Sequence, residues 1–261
     1  MFDDLKPHLI ELRKRLIISC AALIIAFGLC FGFWQILLDF MVAPLRAVLP
    51  ASSDIIFKEV TEPFFTAMKV AFFAGLMLSV PVIFWQFWLF VAPGLYDNEK
   101  KYVIPFVLSA SAMFGAGAAF CYYFVLPVGL SFLINFGGQL FLAMPSIGEY
   151  VGFFTKLVIA FGLSFELPVI TLFLAKIGLV TDESLKAYFR YAVVGIFVFA
   201  AIMTPPDILS QIMLACPLVA LYALSIYIAK LVNPASKDND EDDASAQGAN
   251  ADNEANEREL K

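Results

Sequence analysis

Histidine is almost missing from this chain: His8 is the single one in 261 residues. A histidine-built metal centre is not expected from a single histidine, and a rhomboid-like Ser-His pair is excluded because His8 precedes the first apolar run. No H-E-x-x-H stretch occurs, and no G-x-x-x-x-G-K-[ST] loop is present to cradle nucleotide phosphates, which argues against ATP hydrolysis by this chain. Cysteine is sparse too. Cys20, Cys30, Cys121 and Cys216 all lie in apolar runs without C-x-x-C spacing, so they read as small buried hydrophobes, not disulfides or metal ligands. Acids are scarcer still where the chain is most apolar. Glu166 is the one carboxylate centrally placed in a long hydrophobic run, so a paired-aspartate intramembrane protease lacks its second member. These absences leave enzyme readings weak, and no cofactor, metal or nucleic-acid partner is expected.

What is present is hydrophobic surface. The chain is 61% hydrophobic with a mean hydropathy of +0.83, beyond what a soluble domain carries, and several runs are long enough to cross a bilayer. The expected fold is an all-α integral membrane protein with six spans over about 16–38, 70–90, 103–125, 150–177, 191–203 and 208–229. Residues 1–232 then form the membrane domain, and residues 233–261 read as an acidic disordered tail. The net charge of −6 belongs to that tail: from Leu231 onward there are nine acids and three bases. The bases before Leu16 resemble the start of a signal peptide, but the following run is too long and lacks a small-x-small cleavage site, so an uncleaved first span is expected. Thirteen bases fall on one side of the six-span topology and four, Arg46, Lys58, Lys69 and Lys156, on the other. The positive-inside bias therefore puts both termini in the cytoplasm.

Three local features refine this outline. Trp85 and Trp88 stand near the end of the second span, where interfacial aromatics belong. Gly178 to Arg190 reads as an internal loop in which Thr181 is a candidate cap of a short helix. The fifth span has only about 13 apolar residues, roughly 20 Å of helix, against hydrocarbon about 30 Å thick. Beside a sixth span interrupted by Pro217, it should thin the bilayer.

Glu166 lies in Phe161-Gly-Leu-Ser-Phe-Glu-Leu-Pro168. Stepping back along a helix by fours and threes gives Gly162, Ile159, Thr155, Gly152 and Gly148, a face of mostly small or polar residues. A central acid costs about 2.5–3.5 kcal/mol on insertion scales. The face is thus expected to look into a helix bundle or a wet cavity. Glu166 either serves function there or is a neutral acid making one structural hydrogen bond.

Four segments read together carry a resemblance. His8-Leu-Ile-Glu-Leu-Arg-Lys-Arg-Leu16, Ala92-Pro-Gly-Leu-Tyr-Asp-Asn-Glu-Lys-Lys101, the Glu166 segment, and Thr204-Pro-Pro-Asp207 through Ser210-Gln211 resemble, in order, the receptor subunit of the twin-arginine protein translocase, the TatC family. The resemblance covers about residues 5–232 and implies six tilted helices forming a concave cup in the bacterial cytoplasmic membrane. It implies export of folded proteins on the proton-motive force, and binding of signal peptides carrying two adjacent arginines. By the same carry-over Glu11 and Glu99 are the recognition acids, with Lys14, Phe90 and Leu95 nearby. Two guanidinium groups suit paired carboxylates that can accept bidentate hydrogen bonds; read from the residues alone, Glu11 could equally just pair with Arg15. Glu166 is implied as the intramembrane polar site. Thr204, Gln211 and Asp207 are implied as docking points for the single-span partners TatA and TatB, and self-association in a larger complex is implied as well. Gln211 has a plainer alternative, capping the turn after Pro206. The competing reading of the whole is a proton-coupled secondary transporter of a small solute that uses Glu166.

Overall fold

The computed structural model describes residues 2–91, 103–137, 142–204 and 208–233. Among these the chain is helical, with no sheet. It forms α1 (Phe2–Phe31), α2 (Trp34–Arg46), α3 (Glu62–Val91), α4 (Val103–Phe120), a π-helical turn (Cys121–Val125), α5 (Leu126–Gly137), α6 (Ile147–Lys176), α7 (Asp182–Met203) and α8 (Ile208–Val232). Among the described residues six helices are long and apolar enough to cross a membrane: Leu9–Phe31, Glu62–Val91, Ile104–Phe136, Ile147–Lys176, Asp182–Met203 and Gln211–Val232.

The helices depart from the runs read off the sequence at four places. The second begins at Glu62, about two turns before Val70; the other three departures each have a local reason. The first apolar run continues to Leu38, but the helix stops at Phe31. The chain turns at Gly32-Phe33 and restarts as α2, which folds back on α3. The third helix does not end near Val125. The Leu126 N–H bonds the Cys121 carbonyl five residues back, so the hydrogen-bond ladder changes register where Pro127 lacks a donor, and helix continues to Gly137. The fifth helix starts well before Tyr191. Thr181 and Ser184 cap its first turn reciprocally, at 3.1 and 3.3 Å, so α7 has 22 residues. That is about 33 Å of helix, and its first turns carry Lys186 and Arg190 in place of apolar side chains.

α6 is the hub. It packs against α2, α3, α4, α7 and α8, whereas α1 rests mainly on α3, and α7 mainly on α8. Phe161 and Val151 of α6 are fully buried among Val42, Leu45, Val70, Leu214 and Leu218. A second aromatic cluster at the far end of α6 joins Trp88 to Phe106 at 5.4 Å and to Phe173 at 4.5 Å between ring centroids. Trp88 is thus a core residue, not an interfacial one; only Trp85 is exposed. The cysteines also divide. Cys121 is buried, but Cys20 and Cys216 face outward, because lipid tails accept small apolar side chains as readily as a core does.

Candidate functional site

Three constellations stand out, at the two ends of the bundle and between them. At one end, Glu11 and Arg15 share a face of α1, one turn apart. The Arg15 guanidinium donates to Glu11 Oε1 at 3.2 Å and to Gln86 Oε1 at 3.3 Å. Gln86 is a buried residue of α3. Arg15 therefore crosses from α1 to α3 and fixes the direction in which Glu11 presents its carboxylate. Sequence reasoning missed Gln86, which stands 71 residues from Arg15. Lys14 is exposed beside this pair, and Phe90 is half-buried in the last turn of α3. Glu99 and Leu95 lie outside the described residues, between Val91 and Val103.

In the middle, Glu166 is 6% exposed. The helices close tightly around it. A Cβ on Gly162 would sit 2.7 Å from the Phe114 ring, and one on Gly117 would sit 2.6 Å from the Phe161 carbonyl oxygen. α4 and α6 can approach this closely only because these two positions are glycine. Glu166 Oε1 is buried without a hydrogen-bond partner. Two residues on, Pro168 has no N–H for the Ser164 carbonyl, so the helix opens a second polar group at this level.

At the opposite end, Glu62 of α3 reaches the start of α6. Its Oε1 accepts from the Gly148 N–H at 2.7 Å and from the Ser146 hydroxyl, and its Oε2 accepts from the Lys58 N–H at 2.6 Å. Ser146 is the N-cap residue of α6 yet makes no cap bond of its own; Glu62 supplies the cap from another helix, a carboxylate at the positive end of the helix dipole. Backbone bonds between Ile56 and Pro145 (3.1 Å) and between Ile147 and Ile56 (2.9 Å) pin the connecting segment beside it. Lys58 Nζ donates to Glu149 at 2.7 Å, and this bond holds the Lys58 ammonium above the ordinary lysine range. A cavity of about 850 Å³ opens here between α3, α6 and the end of α7. Glu62 was not read from the sequence as a site residue; its place just before Pro63 at a helix start was the available signal.

The docking residues are divided. The Thr204 hydroxyl, on the cavity wall, donates to its own helix at Ala200 (2.9 Å). The Gln211 amide donates across to the Phe197 carbonyl of α7 at 3.0 Å, so it ties α8 to α7; the turn after Pro206, which it was the alternative to cap, lies outside the described residues. Asp207 lies outside the described residues. Among those residues no three His, Cys, Asp or Glu side chains gather as a metal set.

Comparison with known proteins decides what this bundle is. Residues 7–217 match the model of the TatC family, the Sec-independent protein translocase protein. The chain belongs to the TatC family. The Sec-independent protein translocase protein TatC of Campylobacter jejuni is 58% identical over 245 residues, 93% of this chain and 100% of that protein. The TatC protein of Helicobacter pylori strain J99 is 54% identical over 242 residues, 93% and 95% of the two chains. A crystal structure of the twin-arginine translocase receptor TatC superposes with a TM-score of 0.79 at 39% identity, covering 86% of this chain and 99% of that one. The all-helical six-span fold is therefore the TatC fold, and the protein is a component of a protein transport system, not an enzyme.

Proposed function

We propose that this TatC protein is the receptor for twin-arginine signal peptides and binds them through Glu11 and Glu99 at the cytoplasmic face of the bacterial inner membrane. In this reading both termini lie in the cytoplasm, which the distribution of bases supports. Working with the single-span partners TatA and TatB, the protein passes folded cargo outward on the proton-motive force. The observation that carries this reading is the Glu11–Arg15 contact. The Glu11 carboxylate already accepts from a guanidinium at 3.2 Å, and that guanidinium is held by Gln86. A peptide arginine can take the same carboxylate while Arg15 stays on Gln86. Glu99 supplies the second acceptor from the segment that follows α3, with Leu95 and Phe90 as apolar neighbours and Lys14 at the edge.

Partners dock on α7 and α8. One N–H of the Gln211 amide is held by the Phe197 carbonyl, which leaves its second N–H and its side-chain carbonyl for a partner, with Thr204 and Asp207 nearby. A polar contact of this kind inside a bilayer is weak but orienting. Glu166 is the polar centre of the bundle and acts during passage of cargo, not during capture of the signal. The buried, unpartnered Oε1 also fits a solute transporter, but the likeness to a translocase receptor along most of the chain favours the export reading.

The test is the affinity of the purified full chain for an Arg-Arg signal peptide. Glu11→Gln and Glu99→Gln should each weaken binding about tenfold, the worth of one charge-assisted hydrogen bond, and a Lys-Lys peptide should bind the unaltered protein poorly. Unchanged affinity in the double variant contradicts the assignment.

A further inference from the structure

The cavity at the Glu62 end holds two lysines that nothing above uses. Gly148 donates to Glu62 at 2.7 Å, so α3 and α6 enter the bundle side by side from one level. Lys69 stands seven residues beyond Glu62, and Lys156 eight beyond Gly148. At 1.5 Å per residue both lie roughly 10–12 Å below that level, on helices that read as membrane-spanning. Both line the cavity, and neither has an ion-pair or hydrogen-bond partner among the described residues. Lysines at such depth are costly, and they mark binding sites unless they reach a counter-charge.

The rest of the cavity describes the missing ligand. Thr66, 1% exposed, lines the same cavity, and its buried hydroxyl has no partner. A Cβ on Gly152 would meet nothing within 4 Å, so the floor between the lysines is open. The mouth is acidic: Glu59, Glu62 and Glu149 stand there against Lys58 alone, and Lys58 is taken by Glu149. A soluble anion would have to pass those carboxylates. The side wall is apolar, with Phe65 and Ile202 exposed, so an anion that arrives from within the bilayer on hydrocarbon chains avoids them.

We propose that this cavity binds the headgroup of an anionic phospholipid, with Lys69 and Lys156 on the phosphodiester, Thr66 donating to it, and the acyl chains leaving past Phe65 and Ile202. The lipid would seal the seam between α3, α6 and the end of α7 from the outer leaflet.

The experiment reconstitutes the full chain in vesicles of equal parts phosphatidylglycerol and phosphatidylcholine, extracts it gently, and counts the retained lipids by native mass spectrometry. The unaltered protein should retain phosphatidylglycerol in preference. Lys69→Gln with Lys156→Gln should lower that preference by roughly thirtyfold, about fivefold per lysine. Gly152→Leu should lower it by filling the floor with every charge kept, and Lys69→Arg with Lys156→Arg should preserve it. Equal retention in the Gln pair and in Gly152→Leu overturns the proposal. Release of phosphatidylglycerol by millimolar inorganic phosphate overturns it in favour of a small-anion site. Carbodiimide coupling of either lysine to a carboxylate of a partner helix, with no lipid retained, overturns it in favour of a protein ligand.

Discussion

α6 meets a carboxylate at two levels, and the two are treated in opposite ways. At its first turn the Glu62 side chain, supplied by α3, accepts from Gly148, Ser146, Lys58 and Glu59. About five turns further along, Glu166 is 6% exposed and its Oε1 meets no donor. A carboxylate with four donors is part of the architecture, because removing it leaves N–H and O–H groups with nothing to bond. A buried carboxylate with an orphaned oxygen gives its fold little, and keeping it in an apolar helix needs another reason. The difference separates the acid that builds the bundle from the acid the bundle is built around.

Several measurements would break or sharpen that contrast. The largest effect should come from the packing that buries Glu166. Gly117→Ala places a methyl group 2.6 Å from the Phe161 carbonyl oxygen, and forcing α4 from α6 should destabilise the protein by about 1–3 kcal/mol in detergent unfolding. A neutral result would mean that the helices are looser there and that Glu166 reaches water. Next comes Glu62→Gln. The amide turns a donor toward groups that are themselves donors, so the melting temperature should fall by several degrees and the start of α6 should become sensitive to protease. Glu166→Gln should leave the melting temperature and peptide capture unchanged while slowing export in vesicles; loss of capture before export would contradict its assigned role. The smallest effect belongs to Lys58→Gln. The Lys58–Glu149 pair is exposed on both sides, and such pairs contribute little. Its ammonium titrates above the ordinary value of 10.5. Whatever the pair contributes is therefore fully present below pH 10.5 and is lost only as pH rises past the raised value.

Much of this outline was legible in the sequence. The apolar runs placed six helices, Thr181 was legible as a cap though of a short loop helix and not of α7 itself, and the spacing of Gly162, Thr155, Gly152 and Gly148 marked the face of α6 that carries Glu166. The lengths of the helices were less legible. Proline and charged residues were read as boundaries, but a π-helical turn carries helix past Pro127, and α7 begins among its charges. The decisive contacts of the candidate sites were not legible at all. Arg15 meets Gln86 and Glu62 meets Gly148 across 71 and 86 residues, and no local periodicity encodes such pairings. Trp88 shows the same limit: near the end of an apolar run it reads as interfacial, and only the neighbouring Phe106 and Phe173 make it core.

The recognition role proposed for Glu11 and Glu99 is tested most directly in membranes. A photoreactive residue placed beside the arginine pair of an Arg-Arg signal peptide should crosslink to the unaltered full chain, lose that crosslink with Glu11→Gln or with Glu99→Gln, and give none when the pair is Lys-Lys. Crosslinking that persists undiminished with Glu11→Gln, or that is equal for both peptides, would contradict the account.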